Sequence, residues 1–368
     1  MKILVTGAEG FIGKNLIAEL KNQGYTDIFA YDIHTDPALL ENFCASCEFV
    51  FHLAGVNRPK DEKEFMEGNF GFSSTLLDTL KRHNNKAPIL ITSSIQAALD
   101  NPYGKSKKAG EDLIFAYGKE VGVPVYVYRL ANVFGKWCRP NYNSVIATFC
   151  HNIANNLPVT INDAAAELQL VYIDDVVAEF IRMVKEQPKE EGYLGVEPVH
   201  STTLGEIVAL ITSFKESRSN LSVPDMNNPL AKKLYSTYLS YLPEDEFAYP
   251  LKMNMDDRGS FTEFVRTNGQ GQFSVNVSRP SITKGNHWHH TKNEKFLVVS
   301  GQGVICFRKL GEEKIIEYHV SGDKLEVVDI PVGYTHNIIN TGDVDMVTVM
   351  WANECFDPEH PDTFFLEV

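Results

Sequence analysis

The stretch GNHWHHTKNEKF, residues 285–296, gathers His287, His289, His290 and Glu294, and His336 follows in PVGYTHNIIN. Neutral imidazoles and a carboxylate suit zinc or iron(II), and three protein donors with an open position make a reactive centre rather than a closed structural one. In an extended strand residues two apart share a face, so His287 and His289 point one way and His290 the other. A bend at Thr291 would instead bring in His290 with Glu294. Parity favours His289, and Glu294 and His336 complete either set, so the candidate ligands are His289, His290, Glu294 and His336, with His287 serving as base or as ligand.

A second group lies far upstream. Ser94 closes the apolar run PILITSS, and YGKSK places Tyr103 and Lys107 four apart, on one face of a helix. A phenol that titrates near 10 is a poor acid or base at neutral pH, but a nearby ammonium favours the phenolate and draws it toward the working range. A serine hydroxyl beside it can hold a carbonyl or alcohol oxygen while hydride is transferred.

The third group opens the chain. In KILVTGAEGFIGKNL, Gly7, Gly10 and Gly13 fall between a β-type run and a helical pattern that ends at Gly24. Such a loop permits a tight turn, close approach of backbone to a pyrophosphate, and a helix N-terminus aimed at the phosphates. The next run, DIFAYD, ends at Asp32, whose carboxylate can accept a ribose 2′-hydroxyl and would repel a 2′-phosphate. Residue chemistry here points to NADH.

These groups need scaffolds of two kinds. Up to about Tyr241, strand-type runs (FVFHLAG, PILITSS, PVYVYRLANVFG) alternate with helical segments, the pattern of an α/β, doubly wound parallel sheet whose ligands collect at the carboxyl ends of its strands. Beyond Leu251 short alternating runs such as QFSVNVS and DMVTVMWA imply an all-β, jelly-roll domain. Prolines and an acidic cluster put the junction between them, giving domains at residues 1–243 and 251–368.

At 368 residues, two domains are the natural expectation. With 34 basic against 48 acidic residues the net charge is −14, which disfavours nucleic acid and acidic lipid surfaces, so a phosphorylated substrate needs locally concentrated positive potential. No apolar run is long enough to span a membrane, and the N-terminus lacks a secretory pattern, so the cytoplasm is expected. The six scattered cysteines read as reduced thiols.

The phrases TGAEGFIG, HLAG, Asn69 ahead of a helix, TSS, YGKSK, RLANVFG and VYIDDVV occur in the order that resembles the extended short-chain dehydrogenase/reductases, the branch acting on nucleotide-linked sugars. The resemblance implies cofactor contacts from Gly7, Gly10, Phe11, Ile12, Gly13, Asp32, Leu53, Ala54, Tyr103 and Lys107. It also implies Ser94, Tyr103 and Lys107 as catalytic groups and Asn132 near the substrate. The short Ser94 to Tyr103 spacing departs from the family and implies a more open substrate mouth.

The pattern HxHxxxxE and then PxGxxHxxxN resembles the cupins. DDRGSFTE, which contains Arg258, and KGNHW look like the deoxysugar 3,5-epimerase branch. That likeness implies His287 as general base and Arg258 at the substrate. The branch normally has no metal and supplies a tyrosine acid where this chain has VMWANE, which leaves Tyr334 as the candidate donor.

The order of the two halves is similar to the family of bifunctional capsular-polysaccharide enzymes. This implies C3 epimerisation of a UDP-4-keto-6-deoxy-N-acetylhexosamine in the cupin, then C4 reduction with NADPH, with Zn2+ as the metal and UDP-2-acetamido-2,6-dideoxy-L-talose as product. Barrels of this kind often pair, so a homodimer is expected. The alternative is a reductase alone, its cupin structural and dimerising.

Overall fold

Apolar runs with both parities buried mark strands covered on two faces, and the N-terminal half supplies them. The computed structural model describes every residue except Lys60, Glu62, Glu190, Glu191, Asn268 and Gln270. In chain order the first elements are β1 (Ile3–Thr6), α1 (Phe11–Asn22), β2 (Ile28–Tyr31), α2 (Pro37–Ser46), β3 (Phe49–His52), α3 (Lys63–Met66), a π-helical turn (Glu67–Gly71) and α4 (Phe72–Arg82). There follow β4 (Ile89–Ser94), a 3-10 turn (Ile95–Ala98), α5 (Pro102–Val121), β5 (Val125–Leu130), β6 (Asn132–Phe134), α6 (Val145–Ala154), β7 (Glu167–Tyr172), α7 (Ile173–Glu186), β8 (Tyr193–Leu194) and β9 (His200–Thr203).

Six parallel strands form one sheet in the order β2-β1-β3-β4-β5-β8, so the direction of winding reverses between β1 and β3. Ile3, Val5, Phe49 and Phe51 face one layer with Leu16, Leu20 and Phe180, while Leu4 and Val50 face the other with Leu76, Leu80 and Ile114. Alternate side chains therefore enter opposite cores. A small sheet, β6-β7-β9, completes this part.

The chain continues through α8 (Leu204–Asn220), β10 (Ser222–Val223), α9 (Pro229–Leu239), a 3-10 turn (Glu244–Glu246), β11 (Asn254–Asp256), β12 (Gly259–Thr267), β13 (Gly271–Ser278), β14 (Thr283–Trp288) and β15 (Glu294–Ser300). The last strands are β16 (Gln302–Lys309), β17 (Ile315–Ser321), β18 (Val327–Ile330), β19 (Tyr334–Asn340), β20 (Met346–Ala352) and β21 (Phe364–Phe365). They make a sheet ordered β10-β12-β13-β20-β15-β18, with β11 on β12, and a second ordered β17-β16-β19-β14-β21. Apart from β10, which joins β12 in parallel, these pairings are antiparallel. Phe296, Val298, Ile305, Phe307, Ile338 and Met346 fill a core of this unit.

Two compact units result: Met1–Ile211 with Lys232–Pro243, and Thr212–Ala231 with Glu244–Val368. Residues 212–231, read from sequence as part of the first domain, group with the second, where Ser222–Val223 extends the sheet beside Arg266 and Thr267. All six cysteines are free thiols. Among the described residues no helix is long and apolar enough to cross a membrane.

Candidate active sites

In the first unit the loop after β1 meets the loop after β3. Gly7 has φ +70°, and a Cβ there would lie 2.7 Å from the backbone nitrogen of Ala54, so the close crossing requires glycine. Leu53 donates its N–H to the Thr6 carbonyl at 3.1 Å, which fixes the crossing from the other side. Gly10 caps α1 without a side-chain hydrogen bond, leaving the first-turn N–H groups, including those of Phe11, Ile12 and Gly13, for an anion. The Asp32 carboxylate accepts the N–H of Glu9 at 2.7 Å and its own neighbour Ile33 at 2.7 Å, so it is held beside the glycine loop.

Ser94 stands at the carboxyl end of β4, half-buried, and its hydroxyl caps the 3-10 turn by accepting the Gln96 N–H at 3.2 Å. Asn101 then starts α5 by accepting the Gly104 N–H at 2.7 Å, with Pro102 in the first helical position. This short return brings Tyr103 back toward Ser94. Burial raises the Tyr103 phenol, and the Ser94 hydroxyl opposes that rise. Lys107, one turn on, sends its ammonium to the Thr92 carbonyl on β4 at 3.1 Å. Burial pushes Lys107 down to about 8, with the Glu111 carboxylate opposing. Burial thus dominates at Tyr103, while the Lys107 ammonium is tied to the β4 carbonyl.

Two supporting residues lay outside the sequence expectation of site residues. Asn69, buried in the π-helical turn, accepts the Val56 N–H at 3.0 Å and donates to the Val56 carbonyl at 2.9 Å and to Ser106 Oγ at 3.0 Å, joining the loop after β3 to α5. Such turns recur at functional sites. His52 is buried between Thr6 Oγ1 at 2.8 Å and Ser73 Oγ at 2.7 Å. Since Ser73 gives its own proton to the Asn69 carbonyl, His52 Nε2 carries the hydrogen of that contact. Burial, followed by the Lys107 charge, pushes His52 down to about 3. Asn132, exposed on β6, donates to the Gln169 carbonyl at 3.0 Å.

In the second unit β14 carries a bulge. Gly285 pairs with Asn337 and His287 with His336, so Asn286 is the extra residue. Asn286 takes φ 58°, and Gly285 takes φ +103° where a Cβ would lie 2.9 Å from the His336 carbonyl oxygen. The bulge puts His287 on the same side as Lys284, and both line a cavity of about 980 Å³ together with Glu294 and His336. Trp288 lies on the other face, its ring 4.6 Å from His290 and 4.9 Å from Phe364.

His287, His289, Glu294 and His336 each offer one donor atom, all within 4.8 Å of one another. His290, expected among the ligands, is not brought there: it is exposed, its ring packs on Trp288 and Phe364, and its N–H meets the Asp362 carboxylate at 2.8 Å. β14 ends at Trp288, and the bend at His290 and Thr291 turns His290 away from the cluster. His289 Nε2, Glu294 Oε2 and both nitrogens of His336 are buried without a hydrogen-bond partner. Glu294 Oε2 lies 3.5 Å from His289 Nε2 and 3.4 Å from His336 Nε2. Orphaned buried atoms of this kind cost about 1–3 kcal/mol each, so their convergence fits a divalent cation, and imidazole with carboxylate suits zinc.

Burial works against ionisation of Glu294, but the facing His289 and His336 hold its carboxyl well below the usual range. Burial, then His336, pushes His287 down to about 4. Lys284 donates to Asn276 Oδ1 at 2.7 Å and the Val277 carbonyl at 2.9 Å, an ammonium on the cavity wall that the sequence reading passed over. Arg258 also lines the cavity, exposed and clasped by Asp256 at 2.6 Å. Arg266, also on the cavity wall, is likewise paired, to Glu263, whereas Lys284 is held by neutral oxygens. Tyr334 does not line the cavity, nor does any tyrosine among the described residues.

Comparison with known proteins bears on both units. Residues 3–194 match the NAD dependent epimerase/dehydratase family, and residues 254–364 match the polysaccharide biosynthesis C-terminal domain. The chain is 44% identical over 368 residues to a UDP-2-acetamido-2,6-beta-L-arabino-hexul-4-ose reductase of Pseudomonas aeruginosa, covering 100% of this chain and 99% of that one. The crystal structure of the capsular polysaccharide assembling protein CapF from Staphylococcus aureus is 57% identical, with a TM-score of 0.95 and 100% of both chains covered. A UDP-glucuronic acid 4-epimerase of Bacillus cereus, solved with UDP-glucuronic acid and NAD, shares the fold at a TM-score of 0.56 and 19% identity, over 66% of this chain and 98% of that one.

Proposed function

The chain belongs to the NAD dependent epimerase/dehydratase family, and from that premise we propose a nucleotide-sugar enzyme of capsule synthesis with two active sites. The barrel inverts C3 of a UDP-4-keto-6-deoxy-N-acetylhexosamine, and the parallel-sheet unit then reduces the C4 ketone, giving UDP-2-acetamido-2,6-dideoxy-L-talose. The observation that supports this reading most is the second buried cluster: a reductase alone has no use for His287 facing a cavity beside three orphaned donors.

A ketone makes the hydrogen on the adjacent carbon removable, because the enolate it leaves can be stabilised by cations and donors. His287 takes the C3 proton, and a proton delivered from solvent to the opposite face of the enolate completes the inversion. Lys284 and Arg258 attract the nucleotide diphosphate and the developing negative charge. His289, Glu294 and His336 would hold Zn2+, which supplies Lewis acidity for a carbonyl oxygen. In the other unit Gly7, Gly10, Gly13, Phe11 and Ile12 receive the cofactor pyrophosphate, Leu53 and Ala54 flank it, and Asp32 faces the ribose. The nicotinamide supplies hydride. Ser94 orients the C4 oxygen, Tyr103 gives it a proton, and Lys107 steadies the phenolate left behind; Asn132 bounds the substrate side. Reduction last fixes whatever configuration the barrel has set.

The reading includes NADPH as donor, a homodimer and a cytoplasmic setting. Asp32 favours NADH on charge alone, and the ratio of kcat/KM for the two donors decides between them. The main test is incubation of the full chain with the keto-sugar in D2O without nicotinamide. Deuterium at C3, followed by the talo product on adding NADPH, is expected. Reduction with C3 unlabelled and uninverted would leave only a reductase.

A further inference from the structure

Asp362 lies in the C-terminal segment, remote in sequence from the cluster, yet it holds the turn between two of the converging donors. Its Oδ1 accepts the His290 N–H at 2.8 Å, and its Oδ2 accepts the N–H groups of Thr291 at 2.7 Å and Lys292 at 2.8 Å, with Thr291 Oγ1 at 3.1 Å. Its backbone carbonyl accepts Nδ1–H of His289 at 2.5 Å. That bond fixes the tautomer, so Nε2 of His289 presents a lone pair to the cluster. His336, by contrast, has neither nitrogen bonded and is packed between the rings of Phe296 and Phe307. Two residues after Asp362, Phe364 pairs with Trp288, and Phe365 pairs with His287, fastening the same segment to the ligand-bearing strand.

We infer that Asp362 is a positioning residue for the metal cage: one residue aims His289 through its carbonyl and fixes the 290–292 turn, and hence the His289 to Glu294 spacing, through its carboxylate. This rests on the reading that the cluster holds zinc. Three consecutive N–H groups converging on one carboxylate give the turn a single conformation, and a preformed cage binds an ion more tightly than one that must be ordered first.

The test is zinc affinity of the full chain, measured by competition with a chromogenic chelator, for the parent, Asp362→Ala and Asp362→Asn. Asp362→Ala should weaken zinc binding roughly 10- to 100-fold, while hydride transfer in the parallel-sheet unit stays unchanged. Both variants retain the backbone carbonyl, but Asp362→Asn also keeps one side-chain acceptor oxygen, and should lose a smaller factor, on the order of 3- to 10-fold. It serves alone if the alanine variant does not fold. Parent-like zinc affinity in whichever variants fold overturns the role of Asp362 while leaving the metal reading intact. A parent that binds no zinc overturns both. In the zinc-free parent, nitrogen NMR should find His289 protonated at Nδ1, and the opposite tautomer counts equally against the inference.

Discussion

At the mouth of the parallel sheet, Lys107 is bonded to the Thr92 carbonyl, and the supporting Asn69 and His52 have partners on both ends. In the barrel, Nε2 of His289, Oε2 of Glu294 and the whole ring edge of His336 find none. Both clusters are polar and buried, and burying polar atoms unpaired is costly. In the first cluster the buried polar groups find partners within the chain. In the second, converging donors are left without one, and that contrast is what supports the proposal of a metal there.

The contrast can be broken most directly through Tyr103. Tyr103→Phe should lower the rate of ketone reduction by about 10^2- to 10^4-fold, while deuterium exchange at C3, followed by NMR, stays at the parental rate. Loss of both would mean that the two chemistries are not divided as proposed. Next in size, Glu294→Gln should lose zinc from dialysed protein and reduce C3 exchange by roughly 10- to 100-fold, with cofactor binding to the first unit unaltered.

Two stability measurements sharpen the same comparison. Lys107 is held at about 8, below its unfolded value, so the unfolded chain binds more protons between about pH 8 and 10.5 and burial of the ammonium costs stability at and below pH 8. Lys107→Met should therefore stabilise the protein at pH 7 by about 2 kcal/mol after allowing for the lost bond to Thr92, while abolishing reduction; denaturant unfolding reads the first and NADPH oxidation the second. His52 has its folded value at about 3, so its neutral form stabilises the fold fully above pH 6.5 and loses that contribution as pH falls toward 3. At pH 5 the loss should be about 2 kcal/mol, and His52→Gln should flatten this part of the pH dependence of unfolding.

Much of this was legible because it depends on local order. Gly7 through Gly13 sit between a strand and a helix, Ser94 and Tyr103 follow β4, and the barrel strands alternate, so each element declared itself through period and punctuation. The partners that complete the sites did not. Asp362 acts through a backbone carbonyl and through N–H groups, which every residue type possesses, so no spacing reveals it. Ser222–Val223 is too short to show a period. The direction of Lys284 depends on the bulge beside it, which no spacing announces. His290 is close to the donors in sequence, but the bend after β14 turns it outward.

Asn286 deserves a last consequence. Removing that one residue would restore a regular ladder between β14 and β19 and exchange the inner and outer sides of everything preceding it or following it in the strand. Either Lys284 would leave the hollow, or His287 and His289 would turn to the exterior with Trp288 and His290 taking their place. Charge and hydropathy would scarcely change, and the barrel could still form. The reactive interior is thus specified by arithmetic along the backbone as well as by which side chains are present.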